Sequence, residues 1–143
     1  MKIKNVEQEI SLNLFIWGLC SALNGIILFF FDNSFVNAIG FQFIIWGFID
    51  CLIAMLPFVL RKFKKESHIQ NLPKLKKILG INSILDLFYV LVGILLFLGI
   101  FNINQGHGIG VIIQGGFLLI FDFYYYVVTL KLIKKDSKDI YES

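Results

Sequence analysis

A chain of 143 residues that is 57% hydrophobic, 16% aromatic and only 16% charged, with a mean hydropathy of +0.78, does not suit a water-soluble domain. A small soluble fold leaves much of its chain outside and needs about a quarter of its residues charged. A hydrocarbon core about 30 Å thick takes roughly 20 apolar residues per helical span, so the chain has room for four spans and no separate catalytic domain beside them.

The first residues put Ile3, Val6 and Ile10 on one side of a helix and Lys2, Lys4, Glu7 and Glu9 elsewhere, as in a short interfacial segment. The first predicted span, 11–31, is too long for a signal-peptide core and lacks a small-x-small cleavage site. Trp17, Gly18 and Leu19 precede Cys20, and the apolar run continues past it, which excludes a lipoprotein anchor. A connection over 32–42 leads to the second span, 41–60, whose Pro57 lies near the far end, where a kink is tolerated. A basic segment, 61–77, precedes the third span, 78–101. The next connection, 102–110, alternates Gly106, Gly108 and Gly110, which predicts a flexible loop carrying a solvated His107. His68 in the basic segment reads the same way, and the fourth span covers 111–131. The expectation is one integral membrane domain over 1–143, all-α: four transmembrane helices in an antiparallel bundle.

All 13 basic residues fall at one set of span ends: Lys2 and Lys4; Arg61, Lys62, Lys64, Lys65, Lys74, Lys76 and Lys77; and Lys131, Lys134, Lys135 and Lys138. The two other connections hold none, so the positive-inside rule places both chain ends and the middle loop in the cytoplasm. This distribution accounts for the net charge of +3 as topology and speaks against a nucleic-acid partner. The basic loop also suits contact with anionic lipid, each charge adding on the order of 1 kcal/mol near such a surface.

Comparison of polar and small residues alone points to a duplication. Gly18, Ser21 and Asn24 recur as Gly80, Ser83 and Asp86, and Gln42 and Asp50 recur as Gln114 and Asp122. Two tandem hairpins of like orientation make a parallel pseudo-twofold repeat.

Asp50, Asp86 and Asp122 are the chemically informative residues. Counted at 1.5 Å per residue from the basic ends of their spans, they lie about 15, 12 and 14 Å deep, and Asn24 about 20 Å deep. A central Asp costs about 2.5 to 3.5 kcal/mol on insertion scales, so the three are expected to face the bundle interior. No basic residue is available at that depth, and a low dielectric disfavours the ionised form, so the group holds protons, shares them through hydrogen bonds or binds a cation. Helical spacing adds companions: Trp17, Ser21 and Asn24; Gln42 and Trp46 with Asp50; Asn82 and Tyr89 with Asp86; Gln114, Leu118 and Tyr126 with Asp122. The candidate site is thus Asp50, Asp86, Asp122, Asn24, Gln42, Gln114 and Tyr89. The competing account is helix–helix adhesion, at roughly 0.6 kcal/mol per interhelical hydrogen bond, for which an amide would serve as well as an acid. Cys20 and Cys51 form no Cys-x-x-Cys pair and read as small packing residues.

The second half carries Leu85, Asp86, Tyr89 and Gly93, then Gly106 to Gly110, then Gln114, Gly115, Phe117, Leu118, Leu119, Phe121 and Asp122. The pattern Leu-Asp-x-x-Tyr-x-x-x-Gly, a Gly-x-Gly loop and Gln-Gly-x-Phe-Leu-Leu-x-Phe-Asp resembles a family of small prokaryotic four-span membrane proteins known only as a domain of unknown function. Trp46, Asp50, Ile53 and Ala54 are similar to its Trp-x-x-x-Asn-x-x-Ile-Ala stretch, with Asp50 where the family pattern has Asn. The resemblance implies a prokaryotic cytoplasmic membrane, includes Asp86, Gln114 and Asp122 in the pattern, and supplies architecture without mechanism.

Two functions fit. One is a small membrane passage or sensor whose interior layer exchanges protons or a cation. The other is a non-enzymatic assembly module, a bundle packing against itself or a membrane partner, with the layer as adhesive. An enzyme is not expected: the sequence shows no nucleophile and base constellation, no metal cluster and no cofactor motif.

Overall fold

The computed structural model describes residues 6–63 and 71–141, which form four helices and, among the described residues, no strand. Lys2, Lys4, Lys64, Lys65 and His68 lie outside the described residues. The helices are α1 (Val6–Phe29), α2 (Ser34–Phe63), α3 (Leu72–Phe97) and α4 (Gln105–Tyr141). Each is long and apolar enough to cross a membrane. Leucine, isoleucine and phenylalanine side chains stand exposed along all four helices, a surface that suits lipid rather than water.

Helix boundaries follow capping chemistry more closely than hydropathy. Asn33 accepts backbone N–H bonds from Phe35 (3.0 Å) and Val36 (3.2 Å), so α2 starts at Ser34, well before the apolar run at 41. Asn71 caps α3 by accepting from the Lys74 N–H at 3.1 Å, with Pro73 in the first turn, where a missing N–H costs nothing. α3 ends where Gly99 takes φ +75, a conformation that a side chain would strain. Asn104 then accepts from the Gly106 N–H at 2.9 Å and opens α4. Its amide also donates to the Ser34 carbonyl at 3.0 Å, tying the start of α4 to the start of α2.

The glycine-rich stretch 106–110 is therefore helical, which corrects the loop expected there. Its glycines provide close approach. A Cβ on Gly106 would collide with the Phe35 carbonyl, one on Gly108 with the Phe97 N–H, and one on Gly110 with Gln42 Cβ at 2.6 Å. The same device joins α1 to α2, where a Cβ on Gly47 would stand 2.5 Å from the Gly18 carbonyl and one on Gly40 2.5 Å from the Phe29 nitrogen. α1 packs along α2, α3 along α4, and the two hairpins meet chiefly through α2 and α4.

At the other end of the bundle the packing residues are large. Val6, Leu79 and Tyr125 form a buried cluster, backed by Ile10, Leu75, Phe121, Tyr126 and Leu132. The basic end, where Lys74, Lys77 and Lys131 are exposed, is thus built of bulky side chains, and the hairpin end of backbone pressed on backbone.

Positions matched by the sequence repeat have different surroundings. The Ser21 hydroxyl donates to the Phe43 carbonyl on α2 at 3.2 Å, whereas that of Ser83 donates to Leu79 within its own helix at 2.9 Å. Asn24 is exposed where Asp86 is buried.

Candidate functional site

The buried polar residues concentrate in the bundle interior: Asp50 is 1% exposed, Asp86 5%, Gln114 1%, Asp122 9% and Thr129 0%. Asp50 comes from α2, Asp86 from α3 and the other three from α4. Asp50 lies against α1, its Cβ 3.0 Å from where a Gly18 Cβ would stand. The Asp86 and Asp122 carboxyl groups lie close to each other, and the Asn82 side chain lies beside Asp122. Asp50 is near enough for its charge to act on Asp86, and that of Asp122 to act on Asp50. The three acids predicted to share a depth do form one group.

A proton placed on either carboxyl group would let the pair hydrogen-bond, so the contact suits a proton shared between two sites. One oxygen of Asp50 and one of Asp86 are buried without a protein partner. Buried polar atoms are ordinarily paired, and an unpaired one costs about 1 to 3 kcal/mol, which marks these oxygens as places for a proton or a water. Among the described residues, no group of three or more His, Cys, Asp or Glu side chains is arranged to hold a metal ion.

Toward the hairpin end, Gln114 joins α1 to its own helix through both ends of its amide. Its Oε1 accepts from Trp17 Nε1 at 3.1 Å, and its Nε2 donates to the Ser21 hydroxyl. Trp17 stacks on Phe117 with centroids 3.6 Å apart. Further out, Gln42 Nε2 lies 3.0 Å from His107 Nδ1, and the imidazole meets the Phe41 ring edge to face at 5.9 Å. His107 is thus half-buried and bonded rather than solvated, because helical geometry at 106–110 turns it toward α2.

Of the remaining candidates, Asn24 is not brought into the group. It is exposed and donates to the carbonyl of Cys20 in its own helix at 2.8 Å. Tyr89 is 42% exposed and meets Trp46 edge to face at 4.9 Å. These two rings, with Val111, Gly115 and Leu118, line a crevice beside the acids that has no room for a water molecule. Cys20 is exposed and Cys51 half-buried, and the two are not joined.

Sequence reasoning missed the polar group at the basic end. Tyr125, 2% exposed, accepts from the Asn13 amide at 2.7 Å and donates to Glu9 at 3.3 Å. The available signal was spacing: Asp122, Tyr125 and Thr129 fall at i, i+3 and i+7 on one face of α4.

No curated protein and no solved structure matches the chain. The model of a family of unknown function, DUF6992, matches residues 13–123, a stretch that contains the three acids, Asn82 and Gln114, and the chain belongs to that family.

Proposed function

We propose that this is a multi-pass protein of a prokaryotic cytoplasmic membrane, its basic helix ends in the cytoplasm, whose Asp50, Asp86 and Asp122 bind and release protons in the manner of a small membrane sensor or passage. One observation carries the reading: three acids from three helices meet in an apolar bundle, with two of their oxygens buried and unpartnered. Asn82 and Gln114 position the group, and Gln42 with His107 closes its outer end.

The proximity of Asn82 and Asp86 to Asp122 favours a second reading, in which the layer holds α3 to α4 in an assembly module. Adhesion needs no acid, since an amide in each position bonds as well and avoids the cost of a buried ionisable group. Anionic lipid at the basic ends, a second copy and a membrane partner are the proposed contacts in either case.

The experiment is an infrared titration of the full-length protein in lipid vesicles permeable to protons, reading the carbonyl stretch of protonated carboxyl groups. Under the exchange reading the band titrates reversibly, and most of it disappears in the Asp86→Asn, Asp122→Asn double variant. A band that stays constant over the titratable range, together with unchanged thermal stability in that double variant, overturns exchange. A stability loss with no titrating band supports adhesion.

A further inference from the structure

We infer that the acid layer exchanges protons with one side of the membrane only, through the basic end, along Thr129, Tyr125 and Glu9. This rests on the exchange reading above and adds the route and its direction. It follows from a difference between the two halves of the bundle.

Toward the hairpin end the helices stand in backbone contact, within each hairpin and also between them, where a Cβ on Gly106 would collide with the Phe35 carbonyl. A Cβ on Gly47 would stand 2.5 Å from the Gly18 carbonyl, one on Gly25 2.7 Å from the Ile44 nitrogen, and one on Gly93 2.9 Å from the Ile112 nitrogen. Those are spacings at which no side chain fits between the paired helices. A water site needs roughly 10 to 15 Å³ of free volume and two to four polar partners. The crevice beside the acids on this side, between Trp46 and Tyr89, has no room for water. Gln114 has its carbonyl and amide occupied by Trp17 and Ser21.

Toward the basic end the same face of α4 presents hydroxyl groups at one-turn intervals. Tyr125 lies one turn from Asp122, and its hydroxyl donates to Glu9, which is half-buried. One turn further, Thr129 is wholly buried, and its hydroxyl has no protein partner. It could have bonded back to its own helix, as Ser83 does. A buried hydroxyl without a partner is where a water belongs. Its place, two turns from Asp122 on one face, makes it the polar step between the acids and the basic surface.

The titratable and charged groups around this route come from every helix: Glu9 from α1; Asp50 and the Cys51 thiol beside it from α2; Asp86 and the exposed Lys74 and Lys77 from α3; Asp122, Tyr125, Tyr126 and Lys131 from α4. Lysines at the mouth repel hydronium, and Glu9 offsets them at the point of entry.

The test uses full-length protein in proton-tight, unidirectionally oriented vesicles, with sidedness assigned by protease cleavage of the 61–77 segment. The infrared carboxyl band is followed after a pH jump on one side. The expected result is a response to a jump at the basic end and none to a jump at the hairpin end, with no net proton flux across the vesicle. A response to the hairpin-end jump, or to both equally, overturns the one-sided route while leaving exchange in place. Absence of any response with both sides jumped overturns the exchange reading and this inference with it. Glu9→Gln and Thr129→Val, both close in size to the native residues, are expected to slow the response on the order of 10²-fold, as for loss of a positioned proton-transfer group. Unchanged rates in both variants overturn the assigned residues, and Gly116→Ala, where a Cβ meets nothing within 4 Å, serves as the control.

Discussion

At Gln114 one amide side chain occupies partners on α1 from both of its ends, Trp17 through Oε1 and Ser21 through Nε2. Replacing it with leucine keeps the volume but leaves a buried indole N–H unpaired and Ser21 with only its bond to the Phe43 carbonyl. The expected loss is about 1 to 3 kcal/mol, read as a lowered thermal midpoint in detergent or lipid. Gln114→Glu restores an acceptor for Trp17 only, and should recover part of that loss. Residue identity in the sequence was enough to select Gln114 and the three acids, because a carboxyl or a long amide in an apolar run is costly to leave facing lipid. It was insufficient for Asn24 and Asn82, which look alike on a helix apolar all round. One turns out to lipid and satisfies its amide on the Cys20 carbonyl, and the other turns in to Asp122. Rotation about the helix axis is set by packing, which single residues do not encode.

Among the elements, α1 and α2 form the clearest case of two helices held by what they lack. On Gly40 the nearest neighbours of an added Cβ are all backbone atoms, at 2.5, 2.7 and 2.8 Å, so no side-chain rotation relieves the clash. Gly40→Ala is therefore expected to push the helices apart and cost about 1 to 3 kcal/mol, whereas Gly116→Ala, with open space around it, is expected to leave the midpoint unchanged. Equal effects in thermal unfolding would refute the packing assigned to this pair. The four helices themselves were legible from run length, though not their ends, which follow the capping residues Asn33, Asn71 and Asn104. The start of α4 was not, since alternating glycines carry the same local signal whether they form a loop or let a helix press against its neighbours. Only the presence of Phe35, Ala38 and Phe97 across the gap decides between them, and Phe35 and Ala38 are distant in sequence.

Across the whole molecule, the hairpins α1–α2 and α3–α4 are each continuous in packing and meet chiefly through α2 and α4, with Gln114, Asn13–Tyr125 and the acid layer bridging them. Two chains divided within 64–70 and expressed together are accordingly expected to co-purify, and Gln114→Leu in the second piece should reduce the recovered complex severalfold. Independent behaviour of the two pieces would show that the connecting segment, rather than the interior contacts, holds the halves together. The backbone contacts of the hairpin half also have an electrical consequence. A voltage falls where water is absent, so on a one-sided route most of the membrane potential drops between the acids and the hairpin end. A proton reaching Asp122 from the basic surface then crosses little of the field. Full transit would couple at about 2.3 kcal/mol per 100 mV, and proton occupancy is expected to shift with voltage by well under half of that. On that route the glycines of the four helices would act as the dielectric of a capacitor, and the acids would register the pH beside them with little influence from the charge state of the membrane.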